Sequence, residues 1–213
     1  MIFDEFLELL PKINNLPLSG ESSHFKMVPP FRKELMKKQE QVIKSAKQAA
    51  VLALFYPNAQ RETCLVLILR KTYQGVHSAQ IGFPGGKLEE QDVSLKQTAL
   101  RETFEEIGVA VEDITIFKDL TAVYIPPSNF NVFPFMALSR ITPVFAKQDS
   151  EVEAILEVKL QDFIDDSALI EKTVQTSYSL EIDVPAFKLN GYVVWGATAM
   201  MLSEIKDLFK QVF

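Results

Sequence analysis

The apolar residues of this chain occur mostly in short runs that suit buried β-strands. Two such runs, residues 49–56 and 64–69, flank a turn signal at Pro57-Asn58 and predict a hairpin of buried strands. Shorter runs of the same kind predict further strands, at residues 114–117, 122–125, 132–138 and 155–158. The pattern therefore predicts a sheet of several strands.

Other segments have the spacing or composition of helices. The clearest is residues 94–107, where Ser94 and Gln97 have capping-box spacing and Gly108 follows at the position of a C-terminal cap. Three more helices are predicted at residues 2–10, 34–50 and 197–212. Strands on both sides of a central helix favour an α+β fold. We expect residues 1–45 to be a helical extension packed on a domain of residues 46–213.

Composition and charge exclude several classes of protein. A chain of 213 residues with 47% hydrophobic residues can form a core without disulfides, and the single Cys64 fits a reducing cytoplasm. No apolar run is long enough to span a membrane. The net charge of −6 argues against nucleic acid as a partner. An anionic substrate would need local cations or a bound metal.

Three glutamates crowd one face of the predicted central helix. At 100° per residue, Glu105 lies about 60° to one side of Glu102 and Glu106 about 40° to the other. Glutamate-rich helices are commonly just solvated faces, but like charges at this spacing repel, and a divalent cation would turn the repulsion into binding energy. Oxygen ligands without His or Cys indicate Mg²⁺ or Mn²⁺, and hence phosphate chemistry.

Residues around the three glutamates suit supporting roles. Arg101 precedes Glu105 by four residues and is expected to hold its carboxylate through a forked hydrogen bond. The upstream pair Gly85-Gly86 can bring backbone close to an ion or a phosphate.

With Gly86, Arg101-Glu102, Glu105-Glu106 and Gly108 in place, this stretch resembles the Nudix box. That box is the signature of hydrolases that cleave a nucleoside diphosphate linked to another group. Asp92 replaces the first glutamate of the box, with eight rather than seven residues before Arg101, and Thr103 follows Glu102. The resemblance implies a Nudix fold, a mixed β-sheet sandwiched between helices. It also implies metal ligands at Glu102, Glu106, Glu105 and the Gly86 carbonyl.

An upstream segment is similar to the coenzyme A pyrophosphatase branch of that family. It comprises Leu67 to Thr72 and then His77 to Gly86, ending in Phe-Pro-Gly-Gly. Gly75 and Ala79 stand where the branch has an arginine and a glycine. The resemblance implies hydrolysis of coenzyme A or an acyl-CoA. Expected substrate-binding residues are Arg70, His77, Phe83, Gly85 and Lys87.

Several alternatives stay open on the sequence alone. The general base, which varies in this family, is expected among Glu102, Glu106, Glu151 and Glu153. Arg70 is equally suited to a surface ion pair, and His77 to a structural hydrogen bond. ADP-ribose, NADH or a dinucleoside polyphosphate are alternative substrates. A non-catalytic Nudix-fold binding protein is the third reading, and a homodimer through the N-terminal extension is compatible with the sequence.

Overall fold

A computed structural model describes residues 1–29, 43–71, 80–175 and 181–213. Its helices are α1 (Phe3–Asn15), α2 (Glu21–His24), α3 (Leu95–Ile107), α4 (Leu160–Ile164) and α5 (Gly196–Phe209). Its strands are β1 (Lys47–Pro57), β2 (Thr63–Arg70), β3 (Ile81–Gly82), β4 (Gly85–Lys87), β5 (Thr115–Asp119), β6 (Val123–Ile125), β7 (Phe130–Leu138), β8 (Val152–Lys159), β9 (Leu169–Gln175), β10 (Glu181–Leu189) and β11 (Tyr192–Val194). None of the described helices combines the length and apolar character needed to cross a membrane.

A mixed sheet organises the part of the chain that the structure describes. Its main path runs β3-β2-β1-β7-β5, with β4 also paired to β1, β6 to β7 and β8 to β2. The β1–β7 pair is parallel, and the other pairs are antiparallel. The predicted hairpin of the first two strands is confirmed by the antiparallel pairing of β1 with β2.

The central strand β1 is apolar on both faces because both faces are covered. Ala53 and Phe55 belong to one hydrophobic cluster, which includes residues of α1, α4 and α5. Leu52, Leu54 and Tyr56 belong to a second cluster, which includes residues of α3. A strand that is buried on both faces has a continuous apolar sequence, and β1 has such a sequence. The sheet is therefore sandwiched between helices, as expected.

The N-terminal helix packs on the first cluster. Phe3, Phe6 and Ile13 of α1 are buried there, and Lys118 Nζ of β5 donates hydrogen bonds to Asn14 O and Leu16 O at the end of α1. The predicted boundary at residue 45 stays a prediction.

Two differences from the predicted elements stand out. Residues 47–50 were expected at the end of a helix, but they form the start of β1, where they pair with β7. Side-chain composition favours a helix there, and pairing with the neighbouring strand overrides it. Of the rest of that predicted helix, residues 34–42 lie outside the described residues. The second sheet, β11-β10-β9, was not predicted.

Candidate active site

Helix α3 presents the three glutamates, and its ends form as the sequence predicts. Ser94 Oγ accepts a hydrogen bond from the Gln97 N–H at 3.2 Å, and Gly108 ends the helix in the left-handed conformation. Thr103, which departs from the Nudix pattern, is buried and donates its hydroxyl to Ala99 O. It faces the core, so the departure leaves the acidic face intact.

Glu106 is the buried member of the acidic face, with 1% of its surface exposed. Its Oε1 accepts a hydrogen bond from Arg70 Nη1 at 2.9 Å, and its Oε2 accepts one from the Gly85 N–H at 2.8 Å. Burial raises the pKa of Glu106 to about 7, although Arg70 and the Gly85 N–H act in the opposite direction. This carboxylate therefore lies in an environment that makes its negative charge costly.

Arg101 gathers the acidic groups on the other side of the face. Its Nη1 donates to Glu105 Oε2 at 3.0 Å, the contact expected from the spacing, and to Glu102 Oε1 at 3.1 Å. Its Nε and Nη2 donate to the two carboxylate oxygens of Asp92 at 3.0 and 2.9 Å. Arg101 is therefore anchored by one carboxylate while it positions two others.

Glu102 lies against the glycine pair. A Cβ placed on Gly86 would overlap the Glu102 carboxylate, so glycine at this position lets that carboxylate lie against strand β4. Burial raises the pKa of Glu102, while Arg101 beside it acts in the opposite direction. The predicted ligands Glu102 and Gly86 are thus adjacent.

Both polar backbone groups of Gly85 form hydrogen bonds with side chains of the site. Its N–H binds Glu106, and its carbonyl accepts a hydrogen bond from Arg70 Nη2 at 2.6 Å. Lys87 has an exposed side chain, and its carbonyl accepts from Arg101 Nη2. Phe83 is 2% exposed and packs in the hydrophobic core, so its burial does not support the predicted substrate contact. His77 lies outside the described residues.

The two glutamates predicted from the later loop differ in position. Glu151 precedes β8, and its charge contributes to raising the pKa of both Glu102 and Glu106. Its backbone is held by a hydrogen bond from the Lys71 N–H to its carbonyl. Glu153 is exposed and is the extra residue of a β-bulge, because Val152 pairs with Arg70 and Ala154 with Leu69. Of the two, Glu151 is thus the loop glutamate whose charge acts on Glu102 and Glu106.

These donors fit a hard divalent cation. They are three carboxylates on one helical face beside a glycine backbone, the oxygen donor set that suits Mg²⁺ or Mn²⁺. Among the described residues, no three acidic, histidine or cysteine side chains already converge on one point. Each glutamate instead accepts a hydrogen bond from an arginine. Cation binding would therefore compete with these arginines.

Asp92 was not among the predicted site residues, yet it anchors the arginine that positions two of them. Its Oδ2 also accepts hydrogen bonds from Thr98 Oγ1 and the Glu89 N–H. Hydrogen bonds from Arg101, above all, hold the pKa of Asp92 well below its usual range. The sequence carried a signal, since Asp92 occupies the place of a box glutamate, but the extra residue before Arg101 obscured it.

We expect Asp92→Asn to lower the free energy of unfolding by about 3 kcal/mol, because it leaves a largely buried guanidinium without its anchoring charge. Urea denaturation of both proteins measures the difference. Asp119→Asn is the matched control, since Asp119 forms an exposed ion pair with Lys96 and should change stability by less than about 1 kcal/mol. Equal effects of the two substitutions would contradict the anchoring role.

The raised pKa of Glu106 also predicts how stability depends on pH. A carboxyl whose folded pKa is about 7, against an ordinary 4.5, loses its stabilising contribution as pH rises through that window. Without divalent cations, this group alone should lower the free energy of unfolding by about 3 kcal/mol between pH 4.5 and pH 8. Urea denaturation in EDTA should show the decline in the wild type and a smaller one in Glu106→Gln. Parallel curves of unfolding free energy against pH for the two proteins would contradict the raised pKa of Glu106.

Comparisons with known proteins bear on the same residues. The family model of the NUDIX domain matches residues 46–174. Nudix hydrolase 3 of Caenorhabditis elegans is 29% identical over 159 residues, which cover 68% of this chain and 66% of that protein. The peroxisomal coenzyme A diphosphatase ndx-8 of the same organism is 26% identical over 155 residues, which cover 72% and 64%. The chain thus spans just under two thirds of either relative.

A bacterial relative and two solved structures complete the comparison. An uncharacterized Nudix hydrolase, NudL of Yersinia enterocolitica, is 34% identical over 151 residues, which cover 68% of this chain and 73% of that protein. The Nudix hydrolase RenU of M. smegmatis superposes with a TM-score of 0.53 at 14% identity, over 79% of this chain and 88% of that one. A MutT/nudix family protein of Enterococcus faecalis gives 0.51 at 15% identity, over 93% and 75%. At these identities the two structures bear on the fold alone, and they confirm the expected one.

Proposed function

Because the chain belongs to the Nudix family, we propose that it hydrolyses the diphosphate linkage of a nucleotide derivative, with coenzyme A or an acyl-CoA as substrate. The observation that carries the proposal is the acidic face of α3, where Glu102 and Glu106 lie against the Gly85-Gly86 backbone and Arg101 joins Glu105 to Glu102. A non-catalytic binding protein would have no need to maintain three mutually repelling carboxylates on one face.

In this proposal Glu102, Glu105 and Glu106 hold Mg²⁺ or Mn²⁺, with the Gly86 carbonyl as a further donor. The bound cation supplies charge neutralisation at the diphosphate oxygens and lowers the pKa of the attacking water. Arg101, anchored on Asp92, keeps Glu102 and Glu105 directed to the same side of the helix. Metal binding thus depends on residues outside the three glutamates.

We assign the general base to Glu151. Its backbone is fixed by hydrogen bonds on both sides, since its N–H donates to Gln148 O and its carbonyl accepts from the Lys71 N–H. The loop that carries it is docked on the helix, because the Gln148 N–H donates to Glu106 O at 2.9 Å. Its exposed carboxylate is within electrostatic reach of Glu102 and Glu106, so it can accept the proton of a water at that site. Glu102, Glu106 and Glu153 are the alternatives.

The substrate assignment rests on the motif upstream of the box and on the C. elegans relative named a coenzyme A diphosphatase. Products of coenzyme A would be 3′,5′-ADP and 4′-phosphopantetheine. The exposed Lys87 side chain and the Arg70 guanidinium supply cations for the phosphates of the substrate. His77 is proposed as a substrate-binding residue on the motif alone. We propose the cytoplasm as the compartment, on the single, buried Cys64.

A substrate panel tests this assignment. We expect coenzyme A to be hydrolysed in preference to ADP-ribose, NADH and a dinucleoside polyphosphate, in Mg²⁺ or Mn²⁺ and not in EDTA. The readout is release of the nucleotide product, which is 3′,5′-ADP from coenzyme A and AMP from ADP-ribose, NADH or dephospho-coenzyme A. Comparison with dephospho-coenzyme A separates recognition of the 3′-phosphate from recognition of the pantetheine arm. Preference for ADP-ribose or NADH would keep the reaction and overturn the substrate, whereas no hydrolysis together with no Mn²⁺ binding would overturn the reaction.

A further inference from the structure

Arg70 occupies a position that substrate binding alone does not explain. It is the last residue of β2, and its guanidinium is bound on two sides, by Glu106 Oε1 through Nη1 and by Gly85 O through Nη2. The Gly85 N–H in turn binds the other oxygen of Glu106. These three hydrogen bonds form a closed ring of guanidinium, carboxylate and backbone. While the ring is closed, the two Nη atoms of Arg70 are directed at protein acceptors.

Arg70 and the neighbouring Arg101 differ in the carboxylate that binds each of them. Arg101 is anchored by both carboxylate oxygens of Asp92. Asp92 is not one of the proposed metal ligands. The ion pair of Arg70 is with Glu106, a proposed metal ligand. A cation that draws on Glu106 would therefore compete with Arg70 directly, whereas Arg101 would keep its anchor.

Charge makes the competition strong. A guanidinium and a divalent cation on the same carboxylate repel each other, and at this buried glutamate solvent screens the repulsion only weakly. The hydrogen bond to Gly85 O keeps the arginine nearby after Glu106 is lost. Its side chain is 24% exposed, so the released Nη1 can face a ligand. A planar guanidinium is well suited to phosphate oxygens.

We propose that Arg70 is a latch that alternates between the Glu106 carboxylate and a phosphate of the substrate, released when Glu106 turns to a divalent cation. The inference rests on the proposed function, because it assigns the ligand of the same site. Arg70 thus opposes cation binding at Glu106 and, once it is released, favours diphosphate binding. A residue that only supports the fold would favour both cation binding and diphosphate binding.

The first test measures Mn²⁺ binding alone by calorimetry. We expect Arg70→Gln to bind Mn²⁺ roughly tenfold more tightly than the wild type, because the competing charge is removed. Arg61→Gln is the matched control, since Arg61 forms an exposed ion pair with Asp4 and should leave the affinity unchanged. Weaker Mn²⁺ binding by a folded Arg70→Gln would overturn the latch.

The second test opens the latch without metal. In EDTA, Glu106→Gln should bind methylenediphosphonate, a diphosphate analogue that is not hydrolysed, roughly tenfold more tightly than the wild type, because a neutral amide holds Arg70 less strongly than a carboxylate does. The gain should disappear in the double variant Arg70→Gln/Glu106→Gln. Glu105→Gln removes the same charge from the same helix but leaves the ring closed, so it should show a smaller gain.

The two tests separate the failure of the latch from the failure of the proposed function. A wild type that binds no Mn²⁺ would remove the proposed function, and the latch with it. A wild type that binds Mn²⁺, with no gain for Glu106→Gln in EDTA or an equal gain in the double variant, would overturn the latch alone. If Arg70→Gln does not fold, Arg70→Met takes its place in the single and the double variant, since it also removes the charge while keeping a long unbranched side chain, and the gain of Glu106→Gln is still measured.

Discussion

Replacing Glu106 by Gln should lower kcat/KM for coenzyme A by about a thousandfold, a loss of about 4 kcal/mol in transition-state stabilisation. The amide keeps the shape of the side chain and can still accept the Gly85 N–H, so β4 and α3 should stay together. It removes the charge that would hold the cation, which is the proposed source of charge neutralisation at the diphosphate. Steady-state kinetics in Mg²⁺ and in Mn²⁺ measure the effect.

A matched control separates this loss from a general effect of charge. Glu112 lies exposed on the 3₁₀ turn that follows α3, so Glu112→Gln changes the net charge by the same amount away from the acidic face. We expect its kinetics to equal those of the wild type. Urea denaturation of both variants checks that neither is unfolded. Near-normal turnover by a folded Glu106→Gln would remove Glu106 from the metal site.

Local sequence signals predicted the elements around the site because those elements are fixed locally. The cap at Ser94, the glycine at the end of α3 and the apolar runs of β1 and β2 each act within a few residues of where they stand in the chain. The second sheet was missed for the opposite reason. Most described positions of β9 to β11 are exposed or half-buried, and β10 contains Pro185, so no continuous apolar run marks these strands and their identity depends on pairing with one another.

The same distinction applies to the site. The acidic face of α3 follows from helical spacing alone, and so does the contact between Arg101 and Glu105. The partner of Glu106 does not, because Arg70 lies 36 residues away and meets it only when β2 is in the sheet. The anchoring of Arg101 by Asp92 likewise depends on the course of the loop between β4 and α3. Sequence spacing therefore identified the charges and the local pair of Arg101 with Glu105, but not the pairs between distant parts of the chain.

The second large effect is expected at Gly85, where Ala should lower the free energy of unfolding by about 4 kcal/mol. Gly85 has φ of +146°, a conformation that side chains disfavour by about 2 kcal/mol. A Cβ there would also overlap Ala50 O and lie 2.6 Å from Val51 Cα. Both are backbone atoms of the central strand β1, which cannot yield without displacing the sheet, and overpacking of this kind costs about 2 kcal/mol more.

Two other glycines provide the controls for Gly85→Ala in urea denaturation. Gly191→Ala has a positive φ of +83° but open space around the new Cβ, so it should cost only the backbone part, about 2 kcal/mol. Gly86→Ala meets the end of the flexible Glu102 side chain, so it should keep most of the stability and lose activity. Equal stability of Gly85→Ala and Gly191→Ala would mean that β4 can move away from β1. The Gly85 backbone would then be too mobile to hold both Glu106 and Arg70 in place.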